Sequence, residues 1–346
     1  MEVKSSGKMN YIDEDRKLKN GTIYKINVTA LEDIEGGIEA ANNSDVVIVF
    51  VKASSGEEFV VLQEAIGDRR DLDVWYGGND LINNITEVNE NVIVVINAPA
   101  TVNLPWKDKD KVKAIIFSGF PGAESGNAIA DILFGEVNPS GHLPFVWAKD
   151  EEYCAQINAL ENLTVINETS GQTYKDIYRY DGIDCHQKPD PSGKEQVNYN
   201  EGLYLGQRWF NKNKKQPEFP FGFGLSYTTF EYSDLKLNMS ENGLEATFNI
   251  KNTGNRTGKA VPMMFLTFPS SIGEYPEGIF KGFEKIELDA GETKSVSILA
   301  DDHALSYFNV DKNNYVRVKE GKIKVYINDN ANLASPKLQS EIDANY

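Results

Sequence analysis

The residues of this chain that could do chemistry come down to one segment, Ser54-Ser55-Gly56-Glu57-Glu58-Phe59, followed closely by Gly67-Asp68-Arg69-Arg70. The chemistry open to it is proton transfer by a carboxyl group. On spacing alone the segment reads as a solvated turn with ordinary surface carboxylates. Other chemistries drop out. His142, His186 and His303 are scattered, with no spacing that sets two on one helix face and no Cys or carboxylate cluster beside them, so no metal is expected. There is no Gly-x-Ser-x-Gly elbow, and the glycine-rich segments match neither dinucleotide nor phosphate-loop spacing. No cofactor is expected.

The carboxylates follow an apolar run. From Thr29 to Asn42, Leu31, Ile34, Ile38 and Ala41 fall at helical spacing, and Asp45 to Lys52 continues as a buried strand. The pattern repeats. Asp80 to Glu90 reads as a helix with Leu81, Ile82, Ile85 and Val88 inward, Asn91 to Asn97 as a second strand, and VKAIIFSG, ending at Gly119, as a third. Strands without polar alternation are buried on both faces, which points to a parallel sheet covered by helices. Loops at the C-terminal ends of such strands are where open α/β sheets place ligands, and Glu57 is on the first of them.

Beyond the third strand a Pro-Gly turn leads into a helix through Ile129, Leu133 and Phe134, stopped by Gly135, and NPSG reads as a turn. Residues 148–227 have little period and read as long surface loops. From 229 onward the texture changes to FEYSDLKL, LEATFNIKN, VPMMFLTF, TKSVSILA and GKIKVYIND, the alternation of an antiparallel β-sandwich. The fold class is therefore α/β plus all-β. It comprises a poorly ordered segment 1–21, an α/β sandwich domain 22–228 that is incomplete at its start, and a β-sandwich 229–346.

A net charge of -17 repels nucleic-acid backbones and anionic membranes, and no stretch approaches the about 20 apolar residues of a membrane span. Neither is an expected partner. The chain begins without the apolar core of a signal peptide, yet Asn27, Asn42, Asn84, Asn162, Asn167, Asn238 and Asn255 all head N-x-Ser/Thr sequons. These imply secretion and glycosylation, or an Asn-rich composition that generates sequons by chance. Cys154 and Cys185, the only cysteines, would either form one disulfide across the loop they bracket or stand as two free thiols.

Taken together, SDVVIVFV, SGEEF with GDRRDLDVW, NVIVVINAPA, VKAIIFSGFPGAESGNAIADILFGEVNPSGHLPF, YNEGLYLGQRWF and FPFGFGLSYTTFEYS resemble the C-terminal half of glycoside hydrolase family 3 β-glucosidases, the fungal ones in particular. NTGNRTGKAVPMMFLTFP, FKGFEKIELDAGET and ALSYFNV are similar to that family's fibronectin type III-like domain. The resemblance spans residues 22–335. It implies hydrolysis of terminal β-glucosides with retention, by an Asp nucleophile on an N-terminal TIM barrel and a Glu acid/base on a loop of the α/β domain. Glu57 matches the acid/base and Phe59 the aromatic that lines the leaving-group subsite. Glu58 departs from the pattern, which has Gly there. It would either raise the Glu57 pKa by its charge or be the proton donor itself. Asp68 and Arg69 read as a structural pair, and Glu124, Asn127 and NPSG as scaffold. FGFGLSYT reads as a join between domains, its glycines permitting close backbone approach.

The resemblance also implies that the barrel and the nucleophile lie N-terminal to everything here. The chain is then expected to be catalytically incomplete by itself, with the barrel domain and a β-glucoside or oligosaccharide as its partners. Two further readings stay open: a non-catalytic module that binds carbohydrate or a partner, and a fragment of a β-xylosidase.

Overall fold

The computed structural model describes residues 34–54, 72–149 and 202–345. It also gives the backbone of four short ladders: Lys4–Ser5 with Asn27–Val28, Val61–Leu62 with Ala65–Ile66, Val165–Asn167 with Gln172–Thr173, and Asp184–Gln187 with Gln196–Asn198. The segment 1–21, expected to be poorly ordered, is outside the described residues apart from Lys4–Ser5, and so is Leu31. The chain forms two compact units, Met1–Phe134 with Tyr153–Asp181, and Gly135–Glu152 with Gly182–Tyr346. The second unit thus takes in residues 135–149 and 202–228 from before the change of texture at 229.

The first unit is built on a parallel sheet of β1 (Val47–Lys52), β2 (Val92–Asn97) and β3 (Val112–Phe117), in that order, with Val49 opposite Val94 and Val94 opposite Ile115. Helices α1 (Ile34–Asn42) and α2 (Gly78–Val88) precede β1 and β2, and α3 (Ser125–Leu133) follows β3. α2 buries Leu81, Ile82 and Ile85 as the spacing predicts, with Gly78 added one turn earlier, but Val88, expected inward, is exposed because it stands in the last turn, beyond the covered part of the helix. Asn89, at the end of α2, is buried and donates through Nδ2 to the carbonyls of Ala41 (2.8 Å) and Ser44 (2.7 Å) while its Oδ1 accepts from the Asn91 N–H. One side chain so closes the C-terminus of α1, the end of α2 and the entry to β2.

The expectation that all three strands are buried on both faces is corrected. Only the central strand β2 is covered along most of its length. On β1, Val49 and Val51 are buried while Phe50 between them is 51% exposed, and on β3 Lys113 and Ala114 face solvent. Among the described residues β1 and β3 are the outer strands of the sheet, and the packing layers cover less of them than of the central strand. An apolar run alone does not tell an edge from a centre.

In the second unit β4 (Phe230–Ser240), β5 (Gly243–Asn252) and β10 (Thr293–Ala300) form one antiparallel sheet. A second contains β8 (Ile279–Phe283), β7 (Met263–Thr267), β13 (Lys322–Asn328) and β14 (Leu338–Asp343). Two small ladders pair β6 (Gly258–Ala260) with β9 (Ile286–Leu288), and β11 (Ser306–Asn309) with β12 (Asn314–Arg317). Every second residue points inward: Leu244, Ala246, Phe248 and Ile250 from β5, Val296, Ile298 and Ala300 from β10, and Ile323, Val325 and Ile327 from β13 share one core with Met264 and Leu266. β7 is buried on its other side too, where Met263 and Phe265 pack with Phe221.

That second side of β7 explains residues 202–227, which are not the surface loops expected from their lack of period. Helix α4 (Gln207–Asn213) lies there, with Phe210 buried. Trp147, also buried, pairs through both backbone groups with Phe219 (2.8 and 3.1 Å), and Ala331 donates to the Phe221 carbonyl at 2.8 Å. NPSG makes no turn. Its Asn138 donates to the Thr257 carbonyl at 3.0 Å and accepts from the Ser226 hydroxyl (2.9 Å) and the Tyr227 N–H (2.8 Å), so it straps 138–141 to the sandwich. The close approach expected at FGFG is present. A Cβ on Gly224 would stand 2.3 Å from the Gly141 carbonyl oxygen, and Gly222 has φ 80 and would meet the Met263 sulfur at 2.7 Å.

Candidate active site

Glu57, Glu58, Phe59, Asp68 and Arg69 lie outside the described residues, so the site is seen here through the frame that holds both ends of their loop. β1 delivers the chain upward through Val51, buried against the start of α2, and Lys52. The N–H of Ala53 donates to the Asn97 carbonyl at 3.0 Å, which carries the sheet pairing one residue past the end of β1. After Ser54 the chain departs. Within the excursion Val61–Leu62 pairs with Ala65–Ile66. At its return the Trp75 N–H donates to the Lys52 carbonyl at 2.8 Å, and the Asn103 N–H donates to the Leu72 carbonyl at 2.7 Å. Both ends of the excursion are therefore fixed at the C-terminal edge of β1 and β2.

Side chains tighten the same neck. The Asp73 carboxylate accepts from Asn103 Nδ2 at 2.8 Å and from Asn79 Nδ2 at 3.2 Å, and Asn79 Oδ1 in turn accepts from the indole N–H of Trp106 at 2.9 Å. Trp106 is fully buried, with Val74, Val102 and Leu104 also in the core of this unit. The relay thus runs from a fully buried indole to the residue where the loop comes home. The chain reverses into α2 through Tyr76 (φ 58) and Gly77 (φ 66), both left-handed, and the Lys52 ammonium stands over the Tyr76 ring, 5.1 Å from its centre. Gly78 must be small, because a Cβ there would come within 2.8 Å of Val74 and 3.1 Å of Val51. Asp73, Asn79, Asn103 and Trp106 were not singled out by sequence reasoning. Their only signal is that the first lies inside GDRRDLDVW; what links them is tertiary.

Among the other expected residues, Glu124 and Asn127 are both exposed and bonded to each other at 2.7 Å, one turn apart on α3. Asn42, Asn84, Asn238 and Asn255 are exposed, on α1, α2, β4 and the loop after β5. The side chains of Asn27, Asn162, Asn167, Cys154 and Cys185 lie outside the described residues. Among the described residues no group of three or more His, Cys, Asp or Glu could hold a metal ion, and no helix is long and apolar enough to cross a membrane.

Residues 12–227 match the profile of the glycosyl hydrolase family 3 C-terminal domain. This chain belongs to glycosyl hydrolase family 3. The match covers the whole of the neck just described, and within the second unit residues 260–331 match a fibronectin type III-like domain. The family 3 chain is 32% identical over 336 residues to a probable β-glucosidase L of Aspergillus terreus, an alignment covering 91% of this chain and 41% of that protein. It is 32% identical over 334 residues to thermostable β-glucosidase B of Acetivibrio thermocellus, covering 94% of this chain and 38% of that one. Among solved structures it is similar to β-glucosidase D2-BGL of Chaetomella raphigera, with a TM-score of 0.76, 28% identity, 92% of this chain covered and 42% of the other. The chain spans about two-fifths of the length of these relatives.

Proposed function

We propose that this chain is the C-terminal portion of a secreted β-glucosidase that releases terminal, non-reducing β-D-glucosyl residues from cellobiose and related β-glucosides with retention, and that Glu57 is its acid/base. The observation that carries the reading is the family match over residues 12–227, which includes Glu57, together with relatives named β-glucosidases that align over more than nine-tenths of the chain. The frame supports it physically. A proton donor must be held to a fixed distance from the glycosidic oxygen, and both ends of the loop bearing Glu57 are tied to a buried sheet and a buried indole.

Retention requires two carboxyl groups about 5 to 5.5 Å apart. In this proposal the nucleophile is an Asp on a TIM-barrel domain, and that domain is the partner of this chain. Its carboxylate attacks the anomeric carbon as Glu57 gives its proton to the departing glycosidic oxygen. Glu57 then takes a proton from the water that cleaves the glycosyl-enzyme bond. Glu58 beside it disfavours a second negative charge and keeps Glu57 protonated until substrate arrives. Phe59 offers a flat apolar ring to the leaving-group sugar.

The test is hydrolysis of cellobiose and of p-nitrophenyl β-D-glucoside by the 346-residue chain combined with a separately expressed family barrel domain. Glu57→Gln should lower the cellobiose rate by about 10²- to 10⁴-fold. It should lower kcat/KM for the nitrophenyl glucoside much less, because nitrophenolate leaves without a proton, while the nitrophenyl kcat falls as the second step loses its base. Wild-type cellobiose turnover by Glu57→Gln, with the loss falling on Glu58→Gln instead, would move the role to Glu58. No loss in either variant would overturn the assignment.

A further inference from the structure

A cavity of about 630 Å³ opens on the second unit between the β4–β5 turn, the turn after β10, and the β11–β12 hairpin. Its walls are of two kinds. Tyr315 stands 55% exposed and is held upright by two edge-to-face contacts, with His303 at 4.8 Å and Phe308 at 5.4 Å between ring centres. The polar part of the lining includes Glu241, Asn242, Asp302 and Arg317. The Arg317 guanidinium is fixed by an ion pair with Asp302 and a bond to the Ser240 carbonyl at 3.2 Å, and its side chain is largely buried. Two further lining residues are also bonded: the Ser306 hydroxyl donates to the Asp302 carbonyl at 2.7 Å, and Asp301 accepts from the Ala304 N–H at 2.8 Å.

We propose that this cavity is a binding site for a neutral oligosaccharide, separate from the loop that carries Glu57. The volume lies within the range of small-ligand sites, about 300 to 1,000 Å³. A pyranose ring has an apolar C–H face, which an exposed, braced tyrosine can cover, and a rim of hydroxyls, which carboxylate, amide and guanidinium groups can bond. Charge selects against the alternatives. With Glu241, Asp301 and Asp302 against Arg317 the walls are net negative, in a chain of net charge -17, so phosphorylated, sulfated or uronic ligands are repelled. Tyr315, Asp301, Asp302, Ser306 and Arg317 are held by the contacts above, so binding would fix little in these side chains that is not fixed already. The inference does not depend on the assignment of Glu57.

The test is titration of the full chain with cellotetraose by calorimetry, with tetramethylammonium as a second probe. Saturable cellotetraose binding is expected. Tyr315→Ala should weaken it about tenfold or more, and Asp302→Asn about threefold, as removal of a platform and of one charged acceptor would do. Tyr315→Phe keeps the ring and should retain most of the affinity, which separates loss of the platform from loss of folding. Phe283→Ala removes another exposed aromatic of the same unit and should leave binding unchanged. Absence of saturable binding by the folded chain, equal binding by Tyr315→Ala, or tighter capture of tetramethylammonium than of the sugar would each overturn the proposal.

Discussion

The Trp75 N–H and the Lys52 carbonyl meet at 2.8 Å, and that bond closes the neck of the excursion on which Glu57 lies. Around it, Asp73 receives two amide donors, and one of those amides is held by a buried tryptophan. A loop that must aim a carboxyl group is thus tied at its base by main-chain and side-chain bonds together.

Asp73→Ala should loosen this base. The variant loses the acceptor of Asn79 and Asn103; since these bonds are exposed, the expected cost is about 1 kcal/mol. Hydrogen exchange at the Trp75 amide should accelerate accordingly. Asp73→Asn retains one acceptor oxygen and should fall between wild type and Ala.

Asn252 is a stricter case, because it is wholly buried and fully used. Its Nδ2 donates to the carbonyls of Arg256 (2.8 Å) and Leu288 (3.0 Å), and its Oδ1 accepts from the Thr228 hydroxyl (2.6 Å) and the Gly254 N–H (3.1 Å). Asn252→Ala should cost about 3 kcal/mol in urea unfolding of the second unit. Asn252→Asp turns a donor into an acceptor facing two carbonyls. It should be at least as damaging at neutral pH and recover partly as acid protonates the new carboxyl.

Gly224→Ala should destabilise the second unit by about 1 to 3 kcal/mol, since the added methyl group would stand 2.3 Å from the Gly141 oxygen and 3.1 Å from the His142 ring. Gly126→Ala on α3, where nothing lies within 4 Å, is the control and should be neutral or slightly stabilising. Thermal unfolding of the two variants side by side tests the contrast.

His142 gives a pH dependence with a definite sign. Burial holds its pKa below the ordinary 6.5, outweighing the Ser140 carbonyl and Asp329, which pull it up, while Lys285 adds to the lowering. The folded state therefore favours the neutral ring. Stability from this group is complete above 6.5 and is lost as the pH falls from there through the lowered folded value, because the unfolded chain takes up the proton first. The melting temperature should drop on going from about pH 7.5 to about pH 5.5, and His142→Gln should flatten that drop.

The exposed sequon residues Asn42, Asn84, Asn238 and Asn255 should carry glycans when the protein is made in a secreting eukaryotic cell. Enzymatic removal of N-glycans should lower the mass and leave Asp at the occupied positions. An unchanged mass would count against secretion and favour chance sequons.

Much of this architecture is written in local patterns. The apolar runs at β1, β2 and β3, the stripe on α2 and the alternation in β5, β10 and β13 each depend only on which residues neighbour one another along the chain, so the parallel sheet and the sandwich can be read from spacing. The motif around Glu57 is likewise a short string. What the string could not show is where strands end up in a sheet: among the described residues β1 is an outer strand with Phe50 exposed and β2 is the covered centre, and that order is a relation between strands. Nor could lack of period in 202–227 reveal α4 or the Trp147–Phe219 pairing, because those residues are ordered by packing on the far side of β7 rather than by any repeat of their own. The same holds for Asp73, Asn79, Asn103 and Trp106, and for the cavity beside Tyr315. Each is assembled from segments apart in sequence, and hydrogen bonds and close packing depend on distance in space. The sequence by itself determined the family, the two kinds of layer and the candidate acid; only the tertiary structure decided how the neck of that acid's loop is held and which surfaces remain open to a ligand.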